Sequence, residues 1–221
     1  MSAFSPILRK DILLEFRSRY GVSVVVMFLL VTITTILFSA PGETFTSSIN
    51  SAFFWISLFF GAMTGLSRSF VAEEERGTSL ILRLYSTPER VYWGTFLYNL
   101  LLIFALAASA VLFFLFFFRD LVIKDVTLFF LQLILGCVGI ASATTILSAI
   151  VARAAQKGAL LPVIALPVLM PLIIAVTDAT RITLEIPNAW EGVKGDILIM
   201  FSFDISLTLV SYVLFAIIWR D

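Results

Sequence analysis

The chain contains no histidine and a single cysteine, and only 14% of its 221 residues are charged. Without histidine it cannot build His-ligated zinc, an axial-His haem site, or a Ser-His-Asp or Cys-His nucleophile. One cysteine excludes an intrachain disulfide, and the place of Cys137 inside an apolar run reads as a small buried hydrophobe. No GxxxxGK[ST] phosphate-binding loop is present. Fifteen basic and fifteen acidic residues cancel, so nothing suggests a nucleic-acid partner. The residues single out no catalytic group and no metal ligand set, and no cofactor is expected on this chain.

What the chain has in excess is hydrocarbon: 60% of it is apolar and its mean hydropathy is +1.05, against roughly half apolar for soluble domains. The excess falls in six runs, Gly21–Ala40, Asn50–Leu66, Val91–Phe118, Val126–Ile150, Ala159–Val176 and Ile197–Ile218. Each is near the length of about 20 residues that spans a bilayer as a helix. They are apolar all round instead of alternating, which selects helices over a barrel. The fold class is therefore all-α: one polytopic transmembrane domain, residues 1–221, with six spanning helices. Asp11 and Glu15 ahead of the first run, with Phe38 and Pro41 at its end, make it a retained span instead of a cleaved signal.

Lys and Arg concentrate in cytoplasmic loops. Eleven of the fifteen fall on one side of this arrangement, and Arg119, Lys124, Arg181 and Lys194 fall on the other, so both termini are expected in the cytoplasm. Residues 1–20 read as an interfacial helix, with Leu8, Ile12, Phe16 and Leu13 opposed by Arg9, Lys10, Arg17 and Arg19. Residues 177–196 read as the largest external loop, amphipathic through Ile182, Leu184, Ile186 and Trp190, with Trp190 as an interface anchor.

The connection 67–90 is more organised than a linker needs to be. Gly77 can end one helix and Thr78 cap the next. Thr87, Pro88 and Glu89 form a second helix start, from a capping hydroxyl, a proline at the first position and an acid at the positive end of the dipole. Glu73, Glu74, Glu75 and Arg76 make a charged knob, and Leu80, Ile81, Leu82 and Leu84 leave the short helix after it without a fully polar face. Such a helix suits docking of a soluble partner. Pro162, Pro167 and Pro171 remove three backbone donors from the fifth span, as a kink, a break or a pathway lining. Asp204 is the one ionisable residue well inside a span; it is either a structural acid served by Ser202, Ser206 and Thr208 or a pathway residue. Gly61 and Gly65, with the small residues from Gly136 to Ala149, permit close helix contact, within the chain or across a dimer seam. Phe113, Phe114, Phe116, Phe117, Phe118, Phe129 and Phe130 read as lipid-facing.

The segment Glu73-Glu74-Glu75-Arg76-Gly77-Thr78 followed by Pro88, the Pro167-Val168-Leu169-Met170-Pro171-Leu172-Ile173-Ile174 stretch and the order of spans resemble the CcmB family over essentially the whole length. That resemblance implies the permease subunit of an ABC-type transporter in cytochrome c maturation, in a bacterial inner membrane. It implies that ATP is hydrolysed by a separate CcmA-like subunit, with Glu73, Glu74, Glu75, Gly77 and Thr78 as its coupling surface. It further implies a haem-handling CcmC-like subunit, a small CcmD-like subunit and a periplasmic CcmE-like haem chaperone, and a cargo that is either haem or the release of the loaded chaperone. Trp55, Trp93, Trp190 and Trp219 stand singly, so no tryptophan-rich haem motif is present. Two alternatives are a generic ABC exporter permease for another substrate and an ion-coupled carrier using Asp204, although no second proline cluster marks a repeated half.

Overall fold

The computed structural model describes residues 5–18, 20–39, 45–66, 86–118, 122–152 and 157–220. Among them are seven helices and no strand: α1 Ser5–Ser18, α2 Tyr20–Ser39, α3 Ser47–Leu66, α4 Pro88–Phe117, α5 Val126–Val151, α6 Lys157–Glu185 and α7 Trp190–Arg220. By length and composition five of these, α2 and α4 to α7, are apolar enough to cross a membrane. The helix α3 matches α2 in length at 20 residues but gathers Ser47, Ser48, Asn50 and Ser51 in its first turns, and is not in that set.

The organising element is α5. Of its apolar window 61% is buried, against 12–33% for the other four. The cause lies in its side chains: from Gly136 to Ala149 it is mostly Gly, Ala, Ser and Thr, so α3, α4, α6 and α7 all approach its backbone closely. Outward faces show the opposite chemistry. Leu112, Phe116, Val163, Ile174 and Leu198 are exposed, an apolar exterior of the kind that lipid or a packed partner covers.

The region 177–196 is corrected by the structure. It is the last turns of α6 and the first turns of α7, joined by Ile186–Ala189 alone. Ion pairs spaced three and four residues apart, Arg181 with Asp178 and Glu185 and Lys194 with Glu191, hold those turns helical. Pro187 ends α6, and Asn188 takes the left-handed conformation, φ 55°, that asparagine tolerates better than most residues.

Of the readings open for the three prolines, a packed helix is the one seen. Pro162, Pro167 and Pro171 lie inside the continuous helix α6, with no unwound segment. The face that packs is Leu161, Ala165, Leu169, Leu172 and Val176, all buried, whereas Pro167 and Pro171 are exposed. Their rings sit off the packed face, and the turns on either side keep the helix intact. The phenylalanines divide likewise. Phe116, Phe117 and Phe130 face outward, but Phe114, Phe118 and Phe129 are buried, where Phe114 and Phe129 meet Phe54 at centroid distances of 5.3 and 6.0 Å.

Near its N-terminus the chain makes an elbow. In α1, Ile7 is buried against Gly94 of α4, where a β-carbon would come within 2.8 Å of the Ile7 side chain. Glu15 accepts the Val22 N–H at 2.8 Å, supplying a partner for one of the first donors of α2, and accepts the Tyr98 hydroxyl of α4 at 3.2 Å.

Candidate functional site

Polar side chains inside the bundle gather along α5. Gln132 Nε2 donates to Thr183 Oγ1 at 2.9 Å, and Trp55 Nε1 of α3 donates to Thr180 Oγ1 at 2.7 Å. Further along, Ser142 and Thr208 share a hydroxyl bond of 2.8 Å, and Asn99 Nδ2 of α4 donates to Thr145 Oγ1 at 2.9 Å. The Tyr92 hydroxyl donates to the Thr208 carbonyl at 3.4 Å. Interhelical bonds of this kind contribute about 0.6–2 kcal/mol each in a membrane.

Two glycines continue the line. Gly136 opens a slot for the Trp55 indole, which lies 2.3 Å from where a β-carbon would stand. Gly139 does the same for Leu172 of α6 and Asp204 of α7, at 2.5 and 2.6 Å. From Gly136 onward the steps are of three residues, about 60° short of a turn, so the line winds around α5 from Trp55 of α3 past Leu172 of α6 and Asp204 of α7 to Asn99 of α4. The small residues therefore serve contacts within the chain; a β-carbon on Gly61 would likewise stand 3.3 Å from the Leu106 side chain of α4.

Asp204 stands apart. It is 5% exposed, and neither carboxylate oxygen has a hydrogen-bond partner. Ser202, Ser206 and Thr208 do not serve it, which was one of the two readings the sequence left open. Residues two apart on a helix do not face each other, so Ser202 and Ser206 turn outward. Thr208 lies on the right face, but its hydroxyl is engaged by Ser142.

The end of the bundle where α6 turns into α7 is tied by backbone. Asp125 Oδ1 accepts the Leu128 N–H as an N-cap, and its Oδ2 accepts the Ala189 N–H, at 3.1 and 3.0 Å. The N–H groups of Lys124 and Asp125 both donate to the Thr183 carbonyl, and Lys124 Nζ donates to the Glu185 carbonyl, so carbonyls at the end of α6 are satisfied.

At the opposite end, Pro88 is the first residue of α4 with Glu89 in its first turn, but the Thr87 hydroxyl makes no capping bond. Glu73, Glu74, Glu75, Arg76, Gly77 and Thr78 lie outside the described residues. Sequence reasoning singled out Asp204 and the α5 glycines but passed over Trp55, Asn99, Asp125, Gln132, Thr180 and Thr183. Their signal was available: an amide or indole N–H within an apolar span needs a partner on a neighbouring helix.

An all-helical bundle with five apolar helices of spanning length and an apolar exterior is a multi-pass membrane protein. The fold alone says no more than that. The family described as CcmB protein matches residues 2–218, nearly the whole chain, and the chain belongs to that family. It is thus a permease component of an ABC transporter of the haem and cytochrome c maturation system. A search of curated proteins finds no match.

Proposed function

We propose that this permease receives the movement of a separate cytoplasmic ATPase subunit through Glu73–Thr78 and converts it into haem export or release of a haem-loaded periplasmic chaperone. The observation that carries this reading is the family match over residues 2–218 of a chain with no phosphate-binding loop of its own. Two features support it. The coupling segment precedes Pro88 and α4 in sequence, and α1 packs against the first turns of that helix through Ile7 and Gly94.

In this reading the chain is the non-catalytic subunit, working with CcmA-, CcmC-, CcmD- and CcmE-like partners and as a pair of permease subunits. It lies in a bacterial inner membrane with both termini cytoplasmic, and ATP binds the partner. The helix α3 is the sixth span, its serines and Asn50 tolerated because Asn50 and Ser51 are buried against neighbours. The basic helix α1 lies in the membrane interface. Reversing the charge of Glu73, Glu74 and Glu75 is expected to lower ATP turnover of the complex, or its assembly, while membrane insertion is unchanged. Normal docking and turnover in that variant would remove the coupling role. Loss of cytochrome c assembly in a deletion strain separates this reading from export of another substrate.

A second reading, an ion-coupled carrier, is favoured by one observation, the unpartnered carboxylate of Asp204. Transport that persists without the ATPase subunit would select it.

A further inference from the structure

Asp204 is placed where an ionised carboxylate has nothing to balance it. Its two oxygens are buried and unpartnered, and no Lys or Arg among the described residues pairs with it. The surroundings on each packed helix explain this. From α5 come Gly139 and the buried Cys137 thiol, which is within electrostatic reach of the carboxyl. From α6 comes Leu172, and the charged residues Asp178 and Arg181 begin six residues further on, about 9 Å along the axis. From α4 the ionisable groups beside α7 are Tyr92, bonded one turn away at Thr208, and Glu89, near Tyr212. The one cation among these, Arg181, is paired with Asp178 and Glu185 instead.

Nor does the seat leave room for one on its inner side. Oδ1 lies 2.6 Å from where a β-carbon on Gly139 would stand, and Leu172 Cδ2 lies 2.5 Å from the same point. A metal ion or an ammonium group between Oδ1 and the α5 backbone would displace both. The ligand that neutralises a carboxylate without needing space is a proton, and burial of the charged form without a partner is strongly disfavoured.

We propose that Asp204 is a proton-binding site of the bundle, loaded while α7 crosses α5 at Gly139 as seen here and unloaded to water when that crossing opens. Loading forms an O–H bond between one carboxylate oxygen and a proton taken from water; unloading returns the proton to water and leaves the carboxylate hydrated. The resting half of this proposal stands on the geometry alone. The unloading half rests on the permease reading, with ATP hydrolysis by the partner as the cause of opening.

The test is infrared difference spectroscopy on the full-length protein with its ATPase and membrane partners in lipid nanodiscs, wild type against Asp204→Asn at neutral pH. A protonated-carboxyl C=O band present in the wild type and lost in the variant is the expected result. On transfer to D2O that band should shift to its deuterated position about tenfold faster during ATP hydrolysis than at rest, because exchange requires local opening. If Asp204→Asn does not assemble, Asp204→Glu should move the band without abolishing it. Carboxylate bands from Asp204 at neutral pH would overturn the site and point instead to a cation bound there or donated by a partner subunit. An exchange rate indifferent to ATP would overturn the unloading step. Failure of ATPase coupling itself would show as absent turnover and leave the resting acid band untouched.

Discussion

Where α6 turns into α7, Asp125 accepts two backbone N–H groups, the Thr183 carbonyl accepts two more, and Lys124 reaches the Glu185 carbonyl. Seven residues from Gln132, about 10 Å along α5, Asp204 meets Gly139 with no hydrogen bond at all. The two places use the same helix and the same apolar surroundings. They differ in what holds them: several directional bonds to backbone groups at the one, close packing against a glycine at the other. The end of the bundle is therefore stitched, whereas at Gly139 the carboxyl itself holds no bond and the nearest interhelical one, Ser142 with Thr208, lies a turn further along.

The largest test of this contrast is Trp55→Ala. It empties the slot at Gly136 and removes the bond to Thr180, with an expected loss of about 3–5 kcal/mol, read as thermal unfolding of helical circular dichroism in detergent. Gly136→Ala comes next, at about 1–3 kcal/mol from overpacking against a rigid indole. Gly139→Ala should cost less in the same measurement, because the ends of Leu172 and Asp204 can rotate away; equal losses would mean the crossing is as rigid as the stitched region. Asp125→Ala should cost about 1–2 kcal/mol as a lost cap and speed amide exchange at Ala189 and in the first turn of α5. The smallest effect belongs to Asp204→Asn, within about 1 kcal/mol of the wild type, since no bond to the carboxylate is lost. A much larger loss would show that the acid has a partner after all.

Helix positions were largely legible because a run of apolar residues in lipid has only the helix available to it. The errors came where a residue's partner lies far away in sequence. Residues 177–196 look like a loop by hydropathy, but their charges are spaced three and four apart and pair along a helix surface. Three prolines left a kink or a break open, but α6 is continuous and two of them, Pro167 and Pro171, fall where it does not pack. Phe114, Phe118 and Phe129 are chemically the same as Phe116, Phe117 and Phe130, and only the position of Phe54 and the neighbouring helices separates the two groups. Asp204 was visible as an intramembrane acid, but its isolation was not, since Thr208 serves Ser142 instead.

By itself the sequence determined an all-helical membrane chain, excluded His- and disulfide-based chemistry, and carried the family motifs, because hydropathy, helix length and residue inventory are local properties. Tertiary structure alone decided that α5 is the centre of the bundle, that Gly136 and Gly139 seat Trp55 and Asp204, and that the carboxylate is left bare. Those outcomes depend on which faces of four different helices meet, and contacts between residues far apart along the chain are set by packing, not by local pattern.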